Sequence, residues 1–261
     1  MRIAVSAVST PGGAAANEDY CLASGAWWAV LDGITRYPDD GCVHDVPWYV
    51  GRLGAALASR LEDRGLGLHA VLRGAIEAVA DRHRGTCDLA NPVTPGATVA
   101  LARVADERIE WLVLGDSAVA WRSADGAVRA RSDERVSRLA DPPRAEDVGG
   151  VRRFPVGYLA EVRNRPGGFW VADADPGAAD AALSGSLDAA EVRELMLCTD
   201  GVTRLVERFG HRWEALFRTA AEDGVAALVP LVRGEERAAP SGSKPHDDAT
   251  ALFVSLRPDR R

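Results

Sequence analysis

The stretch WWAVLDG, residues 27–33, is an apolar run that stops at an aspartate followed by glycine. The same shape returns in WLVLGDS, which ends at Asp116 and Ser117, and in LMLCTDG, which ends at Asp200 and Gly201. A mirror image, HDDATALFVSL, places Asp247 and Asp248 just ahead of an apolar run, and NEDY puts Asn17, Glu18 and Asp19 ahead of another. Any one Asp-Gly after a strand is ordinary turn chemistry, since Asp hydrogen-bonds its own backbone and Gly accepts positive φ. Five acidic clusters at the ends of apolar runs form a pattern. If those ends converge, the carboxylates repel one another unless hard divalent cations, which prefer oxygen ligands, neutralise them. Mg2+ or Mn2+ is the natural occupant.

Outward from these motifs, short apolar runs bounded by Gly, Asp or Pro read as strands: Ile3–Val8, Trp27–Leu31, Thr98–Val104, Ile109–Leu114, Val119–Arg122, Glu194–Cys198 and Thr250–Leu256. Helical spacing appears after Asp45-Val46-Pro47, through Leu53, Leu57 and Leu61, and again from Leu68 through Leu72, Ile76 and Val79. Two further helices are expected over Trp213–Ala221 and Val225–Arg233. Consecutive strands with short turns, and helices arriving in pairs, predict an α+β protein with helices outside antiparallel sheets. A doubly wound parallel sheet does not fit that order. Residues 131–187 are rich in Pro, Gly, Asp and Arg with weak periodicity, which predicts a long irregular insertion. No linker divides the chain, so residues 1–261 are expected to form a single domain.

With 47% hydrophobic and 26% charged residues, the composition is that of a folded globular protein, and the seven Trp are expected in the core or lining a groove. A formal net charge of −7 disfavours nucleic acid or an anionic membrane as partner and suits a protein that collects cations. The opening MRIAVSAVSTPGG is too short and too soon broken to read as a signal peptide, and no window approaches the roughly 20 apolar residues of a membrane span. A cytoplasmic location is expected. Cys21, Cys42, Cys87 and Cys198 are scattered, with neither a disulfide framework nor zinc-site spacing, and are expected reduced and mostly buried.

Two divalent ions about 4 Å apart can share a water, lower its pKa toward neutrality and present hydroxide to phosphorus. No nucleophilic side chain is then needed. The sequence agrees, having no G-x-S-x-G elbow, no Walker-type loop and no thiolate phosphate loop around a cysteine.

The order NED, LDG, GATVA, LGDS, TDG, DDAT, spanning Asn17 to Leu256, resembles the metal-dependent protein phosphatase 2C family, in its bacterial form. The resemblance implies a four-layer α-β-β-α sandwich, two antiparallel sheets flanked by helix pairs, with Mn2+ or Mg2+ at one end. By position Asp32 looks like the bridging ligand, the Gly33 carbonyl a ligand to one ion, and Asp200 and Asp247 ligands to the other. Glu18 and Asp19 would complete the surroundings of these two ions. Asp116 resembles the residue that helps hold a third, weaker ion in bacterial members, and Asp248 stands where the family often has Asn. The 131–187 insertion falls where the family carries a flap beside the site. The family's phosphate-binding Arg is Ala14 here, the His after Asp-Gly is Ile34, and the Arg after Gly-Asp-Ser is Ala118.

With that clamp missing, Arg36, four residues past Asp32, is the candidate for contacting phosphate. His246, beside Asp247, is the better of two candidate general acids and a substrate-binding candidate, with His44 the other. The Asn164–Trp170 stretch reads as an ordered flap segment. The function expected is hydrolysis of phosphoserine or phosphothreonine in a protein. A phosphorylated small molecule is the alternative substrate, and a silent phosphoprotein-binding module the non-enzymatic one.

Overall fold

The computed structural model describes residues 2–148, 151–239 and 244–257. Strands β1 (Arg2–Thr10), β2 (Asp19–Ala23) and β3 (Trp27–Gly33) lead into a helix pair, α1 (Val46–Leu61) and α2 (Leu68–His83). Asp45 opens α1 as its cap, its carboxylate accepting from Trp48 N at 2.8 Å, with Pro47 in the first turn. Strands β4 (Ala97–Ala105), β5 (Arg108–Leu114), β6 (Ala118–Ser123) and β7 (Val128–Ser132) follow. Then come the hairpin β8 (Glu146–Val148) and β9 (Val151–Arg153), helix α3 (Val156–Val162), and strands β10 (Leu183–Asp188) and β11 (Val192–Cys198). Helices α4 (Asp200–Glu207), α5 (Trp213–Glu222) and α6 (Leu228–Ala238) precede β12 (Ala249–Arg257).

Two five-stranded antiparallel sheets, ordered β1-β12-β11-β6-β7 and β10-β5-β4-β3-β2, lie face to face. Strand alternation divides the apolar residues among three layers of core. In β3, Trp27, Ala29 and Leu31 meet Leu53, Leu57, Leu72 and Ile76 of the helix pair. Trp28 and Val30 point the other way, toward Val119, Leu197 and Leu252 of the opposite sheet. On the far side Met196, Cys198 and Phe253 pack against Leu205, Phe217 and Val232 of the C-terminal helices. Helices, sheet, sheet and helices make the expected four layers, and the chain's α+β class follows.

The insertion is more ordered than its composition suggested. Its last part is β10, an edge strand pairing with β5. The sequence LSGSLD gives no apolar alternation, because Gly185 lies under the Trp111 ring, where an added Cβ would come within 2.6 Å of it. Helices α3 and α4 also went unforeseen, being short. Residues 149–150 of the insertion lie outside the described ones.

Candidate active site

The inner faces of the two sheets end in polar residues. One more step along the inward face of β3, past Trp28 and Val30, is Asp32, and the matching steps on β4, β11 and β12 bring Thr98, Thr199 and Thr250. Asp19 of β2 pairs directly across from Asp32 in the antiparallel register, so two carboxylates face each other. Like charges so placed are destabilising. Asp32, Gly33, Asp116, Asp200 and Asp247 all line one cleft of about 270 Å³. Glu18 and Asp19 stand behind it.

Backbone close approach fixes this geometry. A Cβ on Gly33 would lie 2.3 Å from Val46 Cγ1 and 2.5 Å from the Glu18 carbonyl oxygen, and one on Gly201 would lie 1.8 Å from the Asp248 carbonyl oxygen. Only glycine fits either place. Asp248 accepts from Gly12 N at 2.7 Å and from Glu18 N at 2.6 Å, tying two N-terminal segments to β12. Thr35 Oγ1 donates to Glu18 at 2.8 Å and Thr199 Oγ1 to Asp19 at 2.8 Å.

The charges are poorly balanced without a cation. Burial, then Asp200, Asp19, Asp116 and Asp247, push Asp32 well above the usual carboxylate range. Burial drives Asp19 up to about 8, with Asp200 and Asp248 adding to it against hydrogen bonds from Thr250 and Thr199. Burial and Asp200 drive Asp116 up to about 7. Asp200 is raised by burial and Asp247, against the pull of Arg204. Asp247 alone of these is held low, since Lys244 and Arg204 outweigh its burial. Lys244 Nζ lies 2.7 Å from one of its oxygens and Arg204 Nη2 2.9 Å from the other. A cluster of oxygen donors at which protonation is the substitute for a counter-charge fits hard divalent cations.

Three residues expected at the site are elsewhere engaged. The Arg36 guanidinium is held by buried Asp40, Nε to Oδ2 at 2.7 Å, and donates to the Cys42 carbonyl. It does not line the cleft. Closeness in sequence to Asp32 misled, because the loop after β3 turns its arginine toward Asp40. His246 Nδ1 lies 2.6 Å from buried Glu236, which also binds Arg204 and Arg233, so this histidine serves a charge network beside the cleft. His44 stacks on Trp48, ring centroids 3.8 Å apart, and is absent from the cleft lining.

The insertion forms one wall, through Val136, Arg152, Arg153, Phe154 and Phe169. Arg153 donates to the carbonyls of Thr35 and Arg36, and Arg163 to that of Thr94 at 2.8 Å, whereas exposed Arg152 has no side-chain partner among the described residues. Within Asn164–Trp170, Asn164 takes positive φ and its amide brackets Val171 through both N and O, so that stretch is a locked turn. Sequence reasoning missed Lys244, Arg204 and Arg152. Arg204 had a signal, standing four residues past Asp200 on one helix face, where opposite charges meet.

The protein phosphatase 2C family model matches residues 13–233. No curated protein sequence matches the chain at a significant level. Among solved structures, the serine/threonine phosphatase PstP/Ppp of Mycobacterium tuberculosis aligns at TM-score 0.62 and 18% identity, covering 98% of this chain and 99% of that one. Stp1 of Staphylococcus aureus aligns at TM-score 0.63 and 15% identity, covering 99% and 96%. The PstP catalytic domain in complex with two manganese ions aligns at TM-score 0.57 and 19% identity, covering 97% of each. At these identities the structural likenesses speak for the fold. The family match over most of the chain, on a sandwich whose strand ends gather the acidic motifs, places this protein in the protein phosphatase 2C family of metal-dependent phosphoric monoester hydrolases.

Proposed function

We propose that this chain hydrolyses phosphoserine and phosphothreonine esters in a protein partner, with two Mn2+ or Mg2+ ions and a weaker third. The observation that carries the reading is the convergence of Asp32, Asp116, Asp200 and Asp247 on a cleft that, among the described residues, neither Cys nor Ser lines. Asp32, Asp200, Asp247 and the Gly33 carbonyl would hold two ions, with Glu18 and Asp19 completing their surroundings and Asp116 serving the third. Bound ions supply an activated water and charge to stabilise the phosphoryl oxygens. The chain's own residues supply position. Lys244 and Arg204 each grip one oxygen of Asp247, so that carboxylate is both ionised and fixed in orientation. Thr199 and Thr35 fix the orientation of Asp19 and Glu18, each by one hydroxyl hydrogen bond. Arg152 takes the phosphate-binding part first looked for at Arg36, and Phe154 and Phe169 give the wall apolar surface for residues flanking the phosphate.

The test is turnover of an aryl phosphate and of a panel of phosphopeptides and phosphorylated metabolites with Mn2+ or Mg2+. EDTA should stop it, and Asp32→Ala and Asp200→Ala should each remove nearly all of it. Turnover that survives EDTA, or a wild-type rate in either variant, would show the site assignment to be wrong. A preference for metabolites over every phosphopeptide would overturn the protein substrate.

A further inference from the structure

On the far side of the loop that follows Asp32 lies a second group of ligand side chains, built from softer atoms. Cys42, His83 and Cys87 bring two sulfurs and a ring nitrogen to within 4.8 Å of one another. Cys42 is remote in sequence from the other two, so spacing did not reveal the group. Cys42 Sγ is 2.7 Å from Cys87 Sγ and 3.6 Å from His83 Nδ1. His83 is 1% exposed, yet among the described residues neither ring nitrogen meets an oxygen: Nδ1 has the sulfur, and Nε2 is buried without a hydrogen-bond partner. Buried polar nitrogens are otherwise nearly always paired. His44, two residues past Cys42, has its ring centroid 6.2 Å from that of His83. On one tetrahedral zinc ion two imidazole centroids lie about 5 Å apart and two thiolates about 3.8 Å. To reach that arrangement the sulfurs, now 2.7 Å apart, part by about 1 Å and the His44 ring swings off Trp48, on which it stacks at 3.8 Å.

We propose that Cys42, His44, His83 and Cys87 bind one zinc ion, a structural site separate from the acidic cleft. The donor set is two sulfurs and two imidazoles, which select zinc, while the all-oxygen cleft selects hard cations. The backbone already supplies sulfur contacts of the kind that orient thiolate ligands: Val43 N donates to Cys87 Sγ at 3.4 Å. Two thiol protons leave as the ion binds, so affinity rises with pH. The ion would staple the end of the loop carrying Ile34, Thr35 and Tyr37, all on the cleft, to the C-terminal end of α2. The surrounding backbone is already arranged for that, with Asp88 N on the Gly41 carbonyl at 2.8 Å and Asn91 Nδ2 on the Asp39 carbonyl at 2.8 Å.

The full chain, purified without chelator and dialysed against Mg2+, should carry about one zinc per molecule by elemental analysis. Cys42→Ser and Cys87→Ser should lose it, Asp32→Asn should keep it, and His44→Ala should keep it with at least about tenfold weaker affinity. Exchange of the wild-type protein into Co2+ should give thiolate-to-cobalt charge-transfer absorption with tetrahedral ligand-field bands, a readout that does not depend on any variant folding. A wild-type protein with no zinc and no such cobalt spectrum would overturn the proposal, and so would a Cys42–Cys87 disulfide in peptides mapped without reductant. Zinc lost in Asp32→Asn but kept in both serine variants would place the ion in the acidic cleft instead. An unchanged zinc affinity in His44→Ala would remove His44 from the ligand set.

Discussion

Replacing Asp19 by asparagine should make the metal-free protein more stable. Asp19 is 5% exposed, faces Asp32 in register, and is pushed up to about 8 by burial and by its acidic neighbours. The folded state therefore keeps a proton that the unfolded chain, with an ordinary carboxylate, gives up. Between about pH 4 and about pH 8 stability falls as pH rises, by up to about 1.4 kcal/mol per pH unit for such a group. Asp116, driven up to about 7 mainly by burial, acts in the same direction. Taking the protein in EDTA from about pH 8 to about pH 6.5 should thus stabilise it by about 2 kcal/mol. His83, lowered by burial, and Asp247, held down by Lys244 and Arg204 against burial, titrate below that window. Asparagine keeps an acceptor for Thr199 Oγ1, now 2.8 Å from Asp19, while removing the charge. Asp19→Asn should accordingly gain a few kcal/mol at about pH 8, with about 5 as the upper bound for a shift of this size, and show a shallower pH slope. Added Mn2+ should stabilise wild type more than the variant. Urea denaturation followed by tryptophan fluorescence measures all of these. Wild-type stability in EDTA that rises or stays level toward about pH 8, or a variant less stable than wild type there, would refute the reasoning.

Arg204→Met should cost about 1.5–3 kcal/mol in chemical denaturation, because Glu236 and Asp247, which buried Arg204 meets at 2.8 and 2.9 Å, each lose one charged partner while Arg233 and Lys244 still hold them. Arg204→Lys should recover only part of this, since one ammonium cannot bridge both acids as the guanidinium fork does. Gly201→Ala, whose Cβ would stand 1.8 Å from the Asp248 carbonyl oxygen, should lose more than about 3 kcal/mol; a melting temperature equal to wild type would show that the strand end has room. In steady-state kinetics Arg36→Ala should leave kcat/KM within about threefold, because Asp40 and the Cys42 carbonyl already hold that guanidinium. Arg152→Ala should raise KM by about tenfold or more, the cost of one charge-assisted hydrogen bond to phosphate. The reverse ranking would return the phosphate contact to Arg36.

The sequence by itself determined the strands that carry the site and the residues at their ends. WWAVLDG, WLVLGDS and LMLCTDG each state locally, in a few residues, where an apolar run must stop and a carboxylate begin. Asp45-Val46-Pro47 likewise announced α1, because a capping carboxylate and an early proline act within one turn of helix. Such signals survive without tertiary context because burial, backbone twist and turn chemistry act on near neighbours.

Only the tertiary structure decided who partners whom. Strand β10 was invisible because an edge strand lying under a tryptophan needs Gly185 more than it needs apolar alternation. Arg36 and Arg152 are equal as letters, and what separates them is that Asp40 folds back to occupy one while a hairpin carries the other onto the cleft wall. The pairing of Asp19 against Asp32 depends on strand register, and the meeting of Cys42 with His83 and Cys87 depends on where a helix pair lets the chain return. A charge or a thiol has a meaning set by what stands within a few ångströms of it. Long-range packing chooses that neighbour, and no local pattern in the sequence encodes the choice.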